Sequence, residues 1–271
     1  MNLIYQVAVG KPSNLYEWCI SSVADYCKEH GYAHIIQREP ILRIAPDPAR
    51  SGRSKEATSK HGGFLPIFEK ENAFGYFSEY DKIAIIDSDV YVRPGSPDIF
   101  ADLGEADFGG VLEKSLPITR MYANKILKYS RGQYGPLKDV DWRVDARGHD
   151  FYNMGIMVMG EAFKAYLNGE TPAEFLRRPE FARFIDGVGM WKWSTDQTLL
   201  NWWVRKSGMK RVDLSWKWNC LFRAVPDKFL KDAHFVHFFL KDLLPARGEN
   251  VSTLDRIINH GEYHLITKFH R

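Results

Sequence analysis

The run Lys82-Ile83-Ala84-Ile85-Ile86 is the strongest strand signal in the chain, and it leads straight into Asp87-Ser88-Asp89. In open α/β sheets, ligands bind beyond the carboxyl ends of buried strands, which is where this pair lies. Along an extended chain, residues i and i+2 project to one face about 6–7 Å apart. Both carboxylates can therefore converge on one cation or on a water it holds. Two like charges in one place raise each other's pKa unless a cation or hydrogen-bond donors neutralise them. A divalent ion does so, and can then hold a diphosphate. The plainer reading makes Asp87 and Asp89 turn residues, solvated or capping the helix after Pro97.

The preceding chain supplies the setting for such a strand. Leu3 to Val9 is an apolar run that stops at Gly10-Lys11-Pro12, a first strand and turn. From Ser13 the spacing turns helical, with Leu15, Trp18, Cys19, Val23, Tyr26 and Cys27 recurring every three or four residues until Gly31. His34 to Ile36 is a second strand. Strand, helix, strand is the opening of an α/β domain. Residues 38–60 are a loop, and Phe64 to Phe77 a helix. Leu116 to Asp150 is charged and poorly periodic, an excursion that covers a site. Phe151 to Met159 is a strand, Thr195 to Lys206 a helix, and Ala233 to Leu240 a late strand. One domain spans 1–271, built on a mixed β-sheet flanked by helices.

Composition limits the partners. The 37 Lys and Arg oppose 34 Asp and Glu, a formal net charge of +3, and neither sign forms a run. That excludes a nucleic-acid face. Cys19, Cys27 and Cys220 form no CxxC and are odd in number, as expected of reduced thiols in a cytoplasmic protein. The N-terminus lacks a basic region before its short apolar run, unlike a signal peptide. No stretch reaches the roughly 18 apolar residues of a membrane helix; membrane contact, if made, is peripheral. The Asn250-Val251-Ser252 sequon is then without consequence.

A DxD after an apolar strand also occurs in phosphohydrolases that use an aspartate nucleophile, here Asp87. Those enzymes usually carry Thr or Val two residues past the second Asp, where this chain has Tyr91, and place the pair near the N-terminus. A noncatalytic carbohydrate-binding role is the other alternative.

Several segments taken in order resemble nucleotide-sugar glycosyltransferases of the GT-A fold, and are most similar to the family-8 group of glycogenin and galactosyltransferase-like enzymes. They are Tyr80 to Val92, Phe151-Tyr152-Asn153-Met154-Gly155 through Met159, Thr195-Asp196-Gln197-Thr198-Leu199-Leu200-Asn201, Trp218-Asn219, and His234-Phe235-Val236-His237-Phe238 with Lys241 and Pro245. The resemblance implies a metal-dependent enzyme that moves a hexose or related sugar from a nucleoside-diphosphate sugar, UDP-sugar favoured, to a hydroxyl of a glycan or glycoconjugate acceptor. It divides the chain into a nucleotide-sugar part at about 1–112, an acceptor part at about 113–250 and a tail at 251–271.

The resemblance also implies roles. Asp87 and Asp89 hold Mn²⁺ or Mg²⁺ with His237 as third protein ligand, a donor set that suits Mn²⁺; the alternative for His237 is a core histidine on a strand. Lys241 donates to the phosphates, although the motif around it, Phe239 to Pro245, departs from the family pattern. Ser88 lies within the motif. Val7 to Gly10, with Val9 and Gly10 nearest, pass the base, and Lys60 meets a phosphate. Asn153 and Gly155 contact a sugar, or else open a strand whose Gly is required by packing. Asp196 and Gln197 stand beside the reacting sugar, or else serve as the first turn of a helix. Asp196 acts as base or as anionic stabiliser.

Aromatic residues make up 14% of the chain, and six of its eight Trp fall between Trp191 and Trp218. Aromatic faces stack on sugar rings, so Trp191 or Trp193, beside Asp196, suits an acceptor platform. Trp202 and Trp203 on a helix, and Trp216 and Trp218 on an alternating strand, suit the core.

Overall fold

The computed structural model describes residues 1–11, 13–54, 59 and 61–270, the side chains of 267–270 excepted. Its strands and longer helices are, in order, β1 (Leu3–Val7), α1 (Asn14–His30), β2 (Ala33–Gln37), β3 (Ile83–Ile86), β4 (Val90–Val92), β5 (Phe108–Leu112), α2 (Arg120–Gln133), β6 (Val144–Asp145), β7 (Gly148–His149), β8 (Tyr152–Met159), α3 (Asp196–Lys206), β9 (Arg211–Asp213), β10 (Cys220–Leu221), β11 (Phe235–His237) and α4 (Val251–His260). The expected mixed sheet is present: six strands in the order β2-β1-β3-β8-β5-β9. β2, β1 and β3 are parallel, β8 runs antiparallel to both β3 and β5, and β9 is parallel to β5. Helices flank it, and the buried apolar side chains form one core cluster.

Two local features shape the functional edge. Between Gly110 and Val111 the register along β8 jumps from Met157 to Asn153, so Met154, Gly155 and Ile156 leave the β5 ladder. Irregularities of this kind re-aim side chains at functional edges. A small second sheet, β10-β11-β4, then sets His237 opposite Val90, one residue past Asp89. The Phe238 amide donates to the Asp89 carbonyl at 2.8 Å and fixes that register.

Several expectations are corrected. The first strand ends at Val7, so Val9 and Gly10 lie in the turn beyond it, with Gly10 at φ 114°. Such a conformation favours glycine. The late strand is only Phe235–His237. Trp216–Asn219 is a 3₁₀ turn rather than an alternating strand, although Trp218 is fully buried as core. The poorly periodic excursion contains α2, whose buried face is Tyr122, Ile126, Ser130 and Gln133. That face has helical spacing, but half of it is polar, so hydrophobic periodicity does not reveal it. The Thr119 side chain caps its first turn by accepting from the Tyr122 amide. The tail forms α4, and Asn250 caps that helix by accepting from the Thr253 amide. The cap ahead of the short helix Ile99–Leu103 is Asp98, not Asp87 or Asp89.

The expected helix around Phe64 to Phe77 is a run of 3₁₀ turns, Pro66–Ser78, that buries Glu69, Lys70 and Glu71 consecutively. Glu69 earns its place by accepting the backbone amides of Ile41, Leu42 and Arg43 at 2.7–2.9 Å, which orders the loop after β2. All three cysteines are buried and free. Among the described residues no helix is long and apolar enough to cross a membrane.

Candidate functional site

Asp87 and Asp89 leave β3 in a turn rather than an extended chain: the Val90 amide donates to the Asp87 carbonyl at 3.0 Å. Ser88 between them points inward, its hydroxyl donating to the Val7 carbonyl at 2.5 Å. The turn still brings the two carboxylates together, because His237 on β11 faces both. Its Nε2 lies 3.3 Å from Asp89 Oδ1 and 3.8 Å from Asp87 Oδ2. One donor atom from each of the three residues falls within a 4.8 Å span. For metal–ligand bonds of about 2.1 Å, octahedral ligand atoms stand about 3 Å apart when adjacent and about 4 Å when opposite. The three residues are of the kind, and close enough together, to hold a divalent cation after small side-chain adjustments.

Burial and charge act in opposite directions at this cluster. Burial raises the Asp89 carboxyl, but the hydrogen bond and charge of His237, with Lys241 and Lys70 behind them, outweigh it and hold Asp89 below its ordinary range. Burial would discharge His237, yet its bond to Asp89 and the charge of both aspartates raise its pKa. In the absence of metal the imidazolium thus supplies positive charge at the carboxylates. The ring has a made-to-measure space: a Cβ on Gly155 would stand 2.3 Å from His237 Cε1, so only glycine fits on β8 at that point. The glycine serves the histidine ring.

Lys70, unremarked in the sequence, is the electrostatic centre of the next layer. Its side chain is 10% exposed, with Nζ 2.6 Å from Asp87 Oδ1 and 3.2 Å from Asp196 Oδ2, and it donates to the Met154 carbonyl at 3.2 Å. Burial alone would depress its pKa, but the charges of Asp196 and Asp87 raise it instead and keep the ammonium ionised. Burial pushes Asp196 up, Lys70 opposing and Asp87 adding. Asp196 Oδ2 is closed off from solvent, with the Lys70 ammonium as its ion-pair partner. The sequence did hold a signal: Lys70, Phe74 and Phe77 share one face at helical spacing, and two of the three are apolar.

The predicted residues separate by what their side chains hold. Asp87, Asp89, Asn153, Gly155, Asp196, Gln197 and His237 all line one cavity of about 460 Å³. Gln197 uses both amide ends on protein: Oε1 accepts the Met154 amide at 3.2 Å and Nε2 donates to the Tyr129 hydroxyl at 3.2 Å. Asn201, one turn on, accepts the Tyr152 amide at 2.7 Å and donates to its carbonyl at 2.8 Å, so α3 is fastened side-on to β8. Asn153 is likewise engaged, with Gly155, Asn219 and Glu113. Asp196 opens α3 behind a Thr195 cap. Glu113 and Tyr122 complete the wall, the tyrosine hydroxyl donating to Glu113 Oε1 at 2.8 Å. Neither was singled out in the sequence.

On the other side of Asp89 lies a second cavity of about 380 Å³, with Lys241 and Arg247 among its lining. Lys241 Nζ is 4.0 Å from Asp89 Oδ2, bonds the Tyr16 hydroxyl and sits 4.0 Å above the Tyr16 ring. Asp89 thus belongs to both cavities. Val9 and Gly10 follow β1 at the sheet edge where Asp87 follows the parallel strand β3. Lys60 lies outside the described residues. At the mouth of the larger cavity stands Trp193, 69% exposed. Trp191 is half-buried, packs edge-on against Phe184 and donates its Nε1–H to the Gln133 carbonyl, a structural position.

Neither a protein-family model nor a curated protein sequence matches the chain. Among solved structures it is similar to a glycosyltransferase involved in glycosylation of the major capsid of PBCV-1, at 16% identity over 93% of this chain and 98% of that one, TM-score 0.47. It is similar to apo mouse xyloside xylosyltransferase 1, at 12% identity over 90% and 100%, TM-score 0.47. A third is the galactosyltransferase LgtC in complex with donor and acceptor sugar analogues, at 15% identity over 99% and 95%, TM-score 0.46. These likenesses are distant, and the functional reading rests on the chain's own residues.

Proposed function

We propose that this chain is a metal-dependent GT-A glycosyltransferase of the family-8 kind that transfers a hexose or related sugar from a nucleoside-diphosphate sugar, with UDP-sugar the favoured donor, to a hydroxyl of a glycan or glycoconjugate. The observation that carries this reading is the Asp87, Asp89 and His237 cluster in the wall of the larger cavity, which Asp196 also lines, with Asp89 reaching as well the smaller cavity lined by Lys241. In this reading residues 1–271 act as one catalytic unit, with the nucleotide part at about 1–112, the acceptor part at about 113–250 and a helical tail after it. The enzyme works in the cytoplasm, in keeping with its buried free thiols.

Glycosyl transfer breaks the bond from the anomeric carbon to a phosphate oxygen, so positive charge grows on the sugar and negative charge on the departing diphosphate. Mn²⁺ or Mg²⁺ held by Asp87, Asp89 and His237 supplies electrostatic stabilisation of that leaving group. Lys241 donates to the diphosphate oxygens from the smaller cavity, while Val9 and Gly10 border the base. The sugar lies in the larger cavity, which Asp196 lines, its carboxyl either accepting the proton of the attacking hydroxyl or stabilising the cationic centre. The Lys70 ammonium, 3.2 Å from Asp196 Oδ2, holds that carboxyl in place and opposes the upward push of burial on it. Asn153 and Gln197 hold β8 and α3 in register beneath the sugar. Trp193 gives the acceptor a stacking face at the cavity mouth.

The experiment is thermal-shift screening of the full chain against nucleoside diphosphates with and without Mn²⁺, followed by a UDP-release assay on a panel of UDP-sugars. The reading expects a joint rise in melting temperature with Mn²⁺ and UDP, as linkage requires of ligands that bind the folded state. No response to any nucleoside diphosphate, together with release of phosphate from phosphorylated small molecules, would replace it with the phosphohydrolase reading.

A further inference from the structure

A buried chain of hydrogen bonds behind His237 leaves no freedom in which of its members donate. The Gly155 backbone amide, which can only donate, meets the Asn153 side chain at 3.0 Å, so the atom it meets is Oδ1. The other end of that side chain, Nδ2, faces the carboxylate oxygen Glu113 Oε2 at 3.3 Å, which agrees. Glu113 is itself oriented by the Tyr122 hydroxyl on its second oxygen. The Asn219 atom 2.9 Å from Asn153 Oδ1 must then be a donor, Nδ2. Asn219 Oδ1 is left to face His237 Nδ1 at 3.0 Å, and an amide oxygen can only accept. His237 Nδ1 therefore carries a hydrogen.

The consequence falls on the opposite ring nitrogen. With Nδ1 holding the hydrogen, the neutral imidazole has its lone pair on Nε2, the atom aimed at Asp89 and Asp87. Asn219 is fully buried and His237 is 4% exposed, so water is poorly placed to substitute for either bond. The missing Cβ of Gly155 fixes the ring plane as well.

We infer that Asn219 is the positioning residue of the cation site: through the Gly155–Asn153–Asn219 chain it fixes the His237 tautomer and ring angle so that Nε2 is presented as a ligand. This rests on the cation site proposed above. Partners that orient a ligating histidine in this way typically contribute about 10–100-fold to metal affinity.

The test is calorimetric titration of the full chain with Mn²⁺ alone, with ¹⁵N spectra of the His237 ring as a readout independent of catalysis. Asn219→Leu, which removes the acceptor, weakens Mn²⁺ binding by about 10–100-fold. In the wild type Nδ1 is protonated both without metal and with Mg²⁺. The inference is overturned if Asn219→Leu, folded by circular dichroism, keeps wild-type affinity, or if Nδ1 proves unprotonated in either sample. His237→Gln separates the two layers. If it too binds Mn²⁺ like the wild type, the cation site itself is wrong, whereas a histidine effect without an asparagine effect removes only the positioning role.

Discussion

Replacing Gly155 with alanine places a methyl group where the His237 ring lies. The new Cβ would meet Cε1 at 2.3 Å, Nδ1 at 2.6 Å and Asn153 Oδ1 at 3.0 Å, where ordinary contact begins near 3.4 Å. The ring must retreat by about 1 Å, and overpacking of that kind costs about 1–3 kcal/mol. It cannot retreat freely. Nδ1 is tied to Asn219, the Phe239 ring is 5.5 Å away and Asp89 closes the remaining side. At about 2.1 cal/mol/K per residue of unfolding entropy, a loss of about 2 kcal/mol in 271 residues lowers the melting temperature by about 4 °C. The metal response is the sharper readout. At a Mn²⁺ concentration 100 times its Kd, the wild type gains about 2.7 kcal/mol, a rise of about 5 °C. In Gly155→Ala that rise disappears. Differential scanning calorimetry with and without Mn²⁺ measures both quantities, and a variant matching the wild type in both would show that the ring does not lie against Gly155. Gly132→Ala is the control. That glycine is in α2 with nothing within 4 Å of its missing Cβ, so alanine stabilises by about 0.5–1 kcal/mol.

Asp89→Asn keeps shape and removes charge from the residue shared by both cavities; sugar transfer from a UDP-sugar falls to background while circular dichroism is unchanged, and full wild-type activity in EDTA would sink the metal assignment. Lys70→Met leaves Asp87 and Asp196 without their buried counter-charge, a change that costs about 3–5 kcal/mol in chemical denaturation; an unchanged midpoint would show that the ammonium is not buried between them. Trp193→Ala changes stability by less than about 0.5 kcal/mol, as an exposed side chain should, and raises the KM for acceptor without altering the KM for donor. Trp202→Ala, in contrast, empties a core position that is 4% exposed and costs about 3–5 kcal/mol by denaturant titration.

The sheet was legible where the chain is apolar in short runs. β1, β3 and β8 are fully or almost fully buried and read as near-continuous hydrophobic stretches. Elements that mix polarity within their buried face were not legible. α2 hides Ser130 and Gln133, because Gln133 accepts from the Thr198 hydroxyl at 3.1 Å across the interface with α3. β5 contains Gly109 and Gly110, whose missing side chains leave room for Leu103, Val212 and Tyr152. A strand whose contribution to packing comes from its neighbours carries little hydrophobic signal of its own. The site divides in the same way. Asp87, Asp89 and His237 were found because motif order carries them. Glu113, Tyr122 and Lys70 act through contacts between segments far apart in sequence, and no spacing rule relates Lys70 to Asp196. Trp193 differs from Trp191 only in which side of one 3₁₀ turn it occupies, so the chain alone could not choose between them.

The placement of Lys70 has a consequence for how charge is divided at the site. Asp87, Asp89 and Asp196 bring three carboxylates to one cavity wall, and Lys70 is shared by two of them, Asp87 and Asp196. Lys241 stands 4.0 Å from Asp89 and is itself turned to Tyr16. Asp89 and the second oxygen of Asp87 face His237, whose ring nitrogen lies 3.3 Å from the one and 3.8 Å from the other. Lys70 uses Asp87 Oδ1 whereas His237 approaches Oδ2, so a divalent ion held by Asp87, Asp89 and His237 would leave the Lys70 bridge in place. The cation cluster and the Lys70–Asp196 ion pair therefore use different atoms of the same cavity wall. A leaving diphosphate needs positive charge and a cationic sugar an acidic group, and in the proposed reading the cation cluster and Asp196 would supply them from one cavity wall.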